Sequence, residues 1–157
     1  MNITAVFPGT FDPFTVGHLD IVKRGAALFD KLIIAVANSP SKNTLFDLDT
    51  RCKMTRDALS LYKNVTVVPF SGMLVDFFKE NHANVLLRGI RSVHDYDYEA
   101  QLTGMYGALM PELEVVFLNT KAEVSFISST FVREIVIHKG DVTPFVPENI
   151  ADYIRSH

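Results

Sequence analysis

Five short, nearly unbroken apolar runs recur along this chain: ITAVF (3–7), KLIIAVAN (31–38), NVTVVPF (64–70), NVLLRGI (84–90) and LEVVFLN (113–119). A strand with one wet face alternates apolar and polar residues. An unbroken run suits a strand covered on both faces, as in a parallel sheet. Between the runs lie longer amphipathic stretches, which predict helices over 17–29, 47–62, 72–82 and 95–110. Two more follow the last strand, at 128–140 and 147–157. The first of these has a serine cap and a terminal glycine, and the second opens on a proline suited to a first turn. Alternating strands and helices imply an α/β fold: a doubly wound, five-stranded parallel sheet with helices on both faces. Ligands of such sheets bind beyond the carboxyl ends of the strands. The loops there are 8–18, 38–46, 88–95 and 119–130.

The totals agree with one domain over residues 1–157, long enough to bury a core. The formal net charge of −3 argues against a generally basic nucleic-acid binder. The one cysteine, Cys52, excludes an intrachain disulfide and fits a reducing compartment. The N-terminus has neither a basic region nor a long apolar stretch, and no run approaches the roughly 20 residues that span a bilayer. A cytoplasmic protein without membrane partners is the expectation.

The first loop reads PGTFDPFTVGH (8–18). A turn at 8–10 would aim backbone N–H groups at an anion, and Gly17 would let a ligand approach the first helical turn. His18 would sit at a helix N-terminus, where orphan N–H groups and the helix dipole favour phosphate. The stretch is neither a Walker loop nor a G-x-G-x-x-G fingerprint. By spacing alone it fits a turn with a capping histidine as well as it fits a phosphate cradle. Three further features fall at strand ends: Lys42 in SPSKNTLF, Arg88 and Arg91 in RGIRSVHDYDYE, and Ser128, Ser129 and Thr130 in VSFISSTFVRE. Each has a bland reading as a solvated charge or helix cap. Their convergence at one end of a parallel sheet points to a polyphosphate.

These segments also carry a resemblance. FPGTFDPFTVGH is similar to the [HT]-x-G-H signature of the nucleotidylyltransferase superfamily, and FISSTFVRE to its partner I-S-S-T motif. PGTFDP, SPSK, LLRGIR, DYDYE, LMPELE, SFISST and GDVTPFVPENI occur in order, so the chain most closely resembles the bacterial phosphopantetheine adenylyltransferase family over nearly its whole length. The resemblance implies a Rossmann-like α/β fold. It also implies reversible transfer of the adenylyl group of ATP to 4′-phosphopantetheine, giving dephospho-coenzyme A and pyrophosphate. By motif position, Gly9, Thr10 and His18 would hold the ATP phosphates. Gly89, Ile90, Arg91, Glu99 and the run Val124, Ser125, Phe126, Ile127, Ser128, Ser129, Thr130 would complete the nucleotide site. Thr10, Lys42, Leu74 and Arg88 would meet the acceptor. Thr10, His18, Lys42 and Arg91 would be the catalytic donors, with no protein metal site. Mg²⁺ would travel with the ATP phosphates, and the assembly would be a homohexamer. Phe7, where many relatives have Tyr, together with Gly72 and Tyr106, departs from the usual pattern.

An anionic nucleophile needs no strong base, so positioning and preorganised donors would carry the reaction. The burial of Arg88 at a strand end would require a partner, which a ligand phosphate would supply. His82, His94, His138 and His157 lack metal-ligand spacing and read as surface or structural residues. Cys52 reads as structural, Asp12 as fixing the turn before Pro13, and Phe77 and Phe78 as core. Met105, Tyr106, Leu109 and Met110 fit either a subunit interface or a helix packed on the sheet. Competing readings are a superfamily transferase for CTP or another acceptor, and a non-catalytic ATP-binding regulator.

Overall fold

The computed structural model describes residues 2–41 and 43–157. Among them, five strands form one parallel sheet: β1 (Thr4–Gly9), β2 (Lys31–Ala37), β3 (Val65–Phe70), β4 (Val85–Ile90) and β5 (Glu114–Asn119). The order is β3-β2-β1-β4-β5. Helices α1 (Val16–Leu28), α2 (Leu48–Ala58), α3 (Leu74–Glu80) and α4 (Val93–Leu109) connect successive strands, and α5 (Ser129–Ile137) and α6 (Glu148–Ser156) follow β5. The expected doubly wound sheet is therefore the one found.

The pleat sends alternate residues to two cores. Ala5, Phe7, Leu32, Ile34, Val36 and Leu87 share one cluster with Ile21 and Val22 of α1 and Ile150 and Ala151 of α6. Val6, Ile33, Ala35 and Leu86 share the other with Val75, Phe77 and Phe78 of α3. The central strands β1 and β2 are thus covered on both faces. The outer strands are not: β3 and β5 stay largely half-exposed despite their apolar sequences. An edge position leaves part of each strand without a neighbour, which the sequence pattern does not register.

The chain reverses direction across the sheet at β1. β1 pairs with β2 along its whole length, from Thr4–Lys31 to Gly9–Val36. Against β4 it pairs only at Ala5–Val85 and Val6–Leu86. Beyond Val6 the two strands part and open a crevice at the topological switch point. Pro8 follows from this. Its carbonyl accepts from Arg88 Nη1 at 3.3 Å, and its missing N–H lies on that same side, where the β4 ladder has ended.

Several boundaries differ from expectation. β1 runs on through Pro8 and Gly9, so the turn begins at Thr10. Gly9 is needed because a Cβ there would come within 2.9 Å of the Phe11 ring. α2 has its expected aspartate cap, Asp47 accepting from Thr50 N, but ends at Ala58 as the chain turns toward β3. Pro147 is the N-cap of α6 and not its first helical residue. At the end of α5, Lys139 takes the left-handed position (φ 59°), with Gly140 N–H donating to Ile135 O and Lys139 N–H to Val136 O. This is a Schellman closure with the glycine one place beyond the position that favours it. Lys139→Gly should therefore raise the unfolding free energy by about 0.5–1 kcal/mol, measured from urea transitions. A loss of stability would show that the Lys139 side chain itself contributes.

Candidate active site

The crevice holds a cavity of about 500 Å³. Its floor is the end of β1 (Phe7, Pro8, Gly9) and of β4 (Arg88, Gly89), and its walls include His18, Arg91, Glu99 and the start of α5. Two helix N-termini, those of α1 and α5, face it. Each presents the positive end of a helix dipole, which favours an anion, although Val16 N–H of α1 is taken by Phe145 O, His18 N–H by Thr15 Oγ1, and Phe131 N–H of α5 by Ser128 Oγ.

His18 is built into the cap of α1. Thr15 is the N-cap, and its hydroxyl accepts from His18 N–H at 3.3 Å. In return, Thr15 N–H donates to His18 Nδ1 at 3.0 Å. The imidazole plays the part that a Glu or Gln takes in an ordinary capping box. A backbone N–H can only donate, so Nδ1 must be the acceptor and Nε2 carries the proton. The ring packs against Phe11 and Phe14, at centroid distances of 4.9 and 5.4 Å. Desolvation, with Arg91 and Arg88 adding to it, lowers its pKa from 6.5 to about 4. His18 is a neutral donor, not a cation.

Arg88 donates to Glu99 through Nε (3.0 Å) and Nη2 (2.6 Å), a bidentate pair largely withdrawn from water. The charge is thus paired within the chain. Arg88 therefore does not need a ligand phosphate for want of a partner, contrary to expectation. Arg91 is tethered similarly: Nε lies 3.5 Å from Asp95 Oδ2, and Nη1 donates to Ile127 O at 3.3 Å. The site therefore holds two arginines already oriented by carboxylates of α4.

The hydroxyl cluster is equally engaged. Ser128 Oγ caps α5 by accepting from Phe131 N–H, Ser129 Oγ donates to Pro13 O at 2.8 Å, and Thr130 Oγ1 accepts from Arg133. What this segment turns toward an anion is the first-turn backbone. Gly17, in the first turn of α1, has a similar double role. Gly17 lines the cavity, yet a Cβ on it would lie 3.4 Å from Thr15 Oγ1 and 3.6 Å from Val124 O, so the 124–127 segment takes up part of the space expected for a ligand.

Of the expected residues, the cavity wall brings together Gly9, His18, Arg88, Gly89, Arg91, Glu99, Ile127, Ser128, Ser129 and Thr130. Thr10 follows the wall residue Gly9 directly, and its carbonyl accepts from Arg51. Ile90, Val124, Ser125 and Phe126 are not in the wall: Ile90 is buried and Phe126 is 65% exposed. Leu74 is not there either. It packs on the second core at the head of α3, beside a separate cavity of about 510 Å³ that Gly72 and Phe70 help line. Lys42 lies outside the described residues. Sequence reasoning missed Thr15, Asp95, Tyr98, Thr120 and Phe11, which line the cavity; His94, read as surface or structural, is exposed and also lines it. Only Thr15 had a legible signal, the T-x-x-H spacing of a capping box.

Asp12 does fix the turn, by more than its place before Pro13. It is buried, and its carboxylate accepts from Leu45 N–H (2.8 Å) and Phe46 N–H (3.0 Å). Arg133 of α5 reaches Asp12 O at 2.9 Å. The loop after β1 is thus bound both to the segment before α2 and to α5.

A cavity of about 500 Å³ at the switch point of a doubly wound sheet, faced by two helix N-termini and two arginines, is the setting of a nucleotide-handling α/β protein. The comparisons agree. Residues 6–135 match the cytidylyltransferase-like family. The chain is 47% identical over 156 residues to the phosphopantetheine adenylyltransferase of Tolumonas auensis, covering 99% of this chain and 95% of that one. In fold it is similar to the Vibrio parahaemolyticus structure assigned as a nicotinate-nucleotide adenylyltransferase (TM-score 0.73, 15% identity, 99% of both chains). It is also similar to a bifunctional NMN adenylyltransferase/ADP ribose pyrophosphatase from Francisella tularensis (TM-score 0.76, 18% identity), covering 99% of this chain and 49% of that one. The chain belongs to the cytidylyltransferase-like family of nucleotidyltransferases, among the phosphopantetheine adenylyltransferases.

The depressed pKa has a measurable sign. Between about 6.5 and about 4 the unfolded chain takes up a proton at residue 18 that the folded one refuses, so this contribution to stability is full above 6.5 and is lost as pH falls toward 4. An NMR titration of the ligand-free protein should find the His18 ring neutral at pH 6, with its midpoint near 4. A midpoint at 6.5 would refute the desolvated, capped arrangement.

Proposed function

We propose that this enzyme transfers the adenylyl group of ATP to 4′-phosphopantetheine, reversibly, yielding dephospho-coenzyme A and pyrophosphate. The observation that carries the reading is the convergence of two helix N-termini, His18, Arg88 and Arg91 on one cavity at the switch point. The acceptor is taken from the name of the Tolumonas auensis relative.

A phosphate oxygen of 4′-phosphopantetheine attacks the α-phosphorus of ATP in line. The new P–O bond forms as the bond to the β-phosphate bridging oxygen breaks, and its electron pair leaves with pyrophosphate. No proton has to move. His18 Nε2–H, Thr10, Lys42 and Arg91 donate to the α-phosphate oxygens, where charge builds. Arg88 receives the acceptor phosphate, exchanging part of its pairing with Glu99. Gly89, Ile90, Glu99 and the 124–130 segment surround the nucleotide. Leu74 and the cavity beside it receive the pantetheine arm. Both carboxylates in the wall, Asp95 and Glu99, are engaged by arginines, so this donor set suits a Mg²⁺ ion brought by the ATP phosphates as part of the substrate.

A homohexamer and a cytoplasmic location complete the proposal. Among the described residues, no helix is long and apolar enough to cross a membrane. On α4, Val93, Tyr98, Met105 and Leu109 are exposed, while Met110 is buried and Tyr106 packs on the second core. The helix thus packs on the sheet with one set of apolar residues and presents Val93, Met105 and Leu109 outward, while Tyr98 lies at the cavity. Such a face favours an interface. Light scattering at micromolar concentration should give about six times the 17.6 kDa chain mass, and a concentration-independent monomer would reject the hexamer.

Pyrophosphate release from MgATP, with and without 4′-phosphopantetheine, tests the activity. Release should require the acceptor and should prefer ATP to CTP. No release with the acceptor, or a preference for CTP, would overturn the reading. His18→Ala should lower kcat by about 100-fold or more with a much smaller change in ATP affinity, the pattern for a donor used in the transition state. Wild-type turnover in this variant would remove His18 from the mechanism.

A further inference from the structure

Arg51 lies on α2, only 3% exposed, and is not part of the cavity wall. Its guanidinium donates to three backbone carbonyls from three segments. Nη1 reaches Thr10 O at 2.7 Å and Ala37 O at 3.0 Å, and Nε reaches Phe46 O at 3.0 Å. These are the turn after β1, the end of β2 and the residue just before the cap of α2. A buried guanidinium is costly to desolvate, and a planar fork of donors matches such a set of acceptors where a lysine ammonium would not.

The Thr10 carbonyl is a specific place to pull. The peptide it belongs to leads into Phe11, which has φ 50°, a left-handed conformation that bulky residues avoid. The Phe11 ring is buried against Phe7 and His18. One peptide plane is thus held from both ends, by Arg51 on the carbonyl and by ring packing on the following residue. The Thr10 turn and the His18 ring consequently share a fixed frame. Arg51 also ties both ends of the sequence interval 37–46 to that frame.

We propose that Arg51 is a positioning residue for adenylyl transfer: by its hold on the Thr10, Ala37 and Phe46 carbonyls it sets the Thr10 turn against the reacting phosphate. The proposal rests on reading Thr10 as a donor to that phosphate. Arg51 affects the transition state through Thr10 and leaves the nucleotide contacts of β4 and α5 untouched.

The test is a double-mutant cycle on the full enzyme, with pyrophosphate release from MgATP and 4′-phosphopantetheine as the rate. Calorimetry with MgATP counts the competent sites, so partly misfolded protein lowers stoichiometry and not the turnover per site. Arg51→Lys, with Arg51→Gln as a second variant, should lower kcat per site by about 10- to 100-fold and leave the MgATP Kd within about 2-fold. In a Thr10→Ala background the same Arg51 substitution should cost less than about 3-fold, because the group it positions is already gone. Thr10→Ala with wild-type turnover would remove the reading of Thr10, and the proposal with it. A slow Thr10→Ala enzyme in which the Arg51 loss is undiminished would overturn the positioning role alone. So would wild-type turnover in both Arg51 variants. Failure of both variants to bind MgATP would also overturn it, by making Arg51 a folding residue.

Discussion

The parting of β1 from β4 is the constraint on which the site depends. Ladder pairing joins the two strands at two positions only, while each keeps six pairs with its other neighbour. The separation has a topological cause. The chain winds from β1 outward to β3, then crosses back to start β4 on the other side of β1. The connections at the carboxyl ends therefore diverge from the seam. Arg88 occupies the opened seam, with Nη1 on Pro8 O and its other nitrogens on Glu99. A side chain takes over where backbone pairing stops, and a charged, oriented group is left at the bottom of the crevice. The capped start of α1 and the start of α5 then form its walls.

Much of this was legible because it depends on period and local chemistry. Apolar runs such as 31–38 named the strands, and Asp47, Ser128 and the terminal Gly140 marked helix ends where a cap or turn is required. The edge strands β3 and β5 read like central ones, because exposure at an edge is decided by sheet order and leaves no trace in a seven-residue run. The site was legible in its residue types but not in its pairings. Arg88 and Glu99 are 11 positions apart and meet only because α4 folds back over β4. Arg51 looks like any arginine of an amphipathic helix until three distant carbonyls close on it. The same holds for Asp12, whose partners at 45 and 46 lie more than 30 residues away in sequence. The hydroxyls of 128–130 were recognisable as a group, yet each is occupied within the protein: Ser128 and Thr130 inside α5, and Ser129 on the loop carbonyl of Pro13.

The charge arrangement suits the proposed joining of two anions. Free guanidinium groups in an open crevice would swing between orientations and between waters, and binding would have to order them. Here Glu99 and Asp95 hold both arginines in place before any ligand enters, so less reorganisation is left for the reaction itself. The carboxylates oppose an incoming phosphate, which weakens ground-state binding. That opposition is tolerable in a transferase, because tight binding of substrate and transition state alike adds nothing to turnover. The two arginines have a second effect, on His18. Their positive charge adds to desolvation in keeping the ring neutral, and Thr15 N–H fixes which nitrogen bears the proton. A neutral ring with its proton on Nε2 interacts weakly with a dispersed ground-state charge, and more strongly as charge concentrates on nearby oxygens. The cap of α1, an element of folding, thereby sets the protonation state in which His18 would serve the proposed transfer.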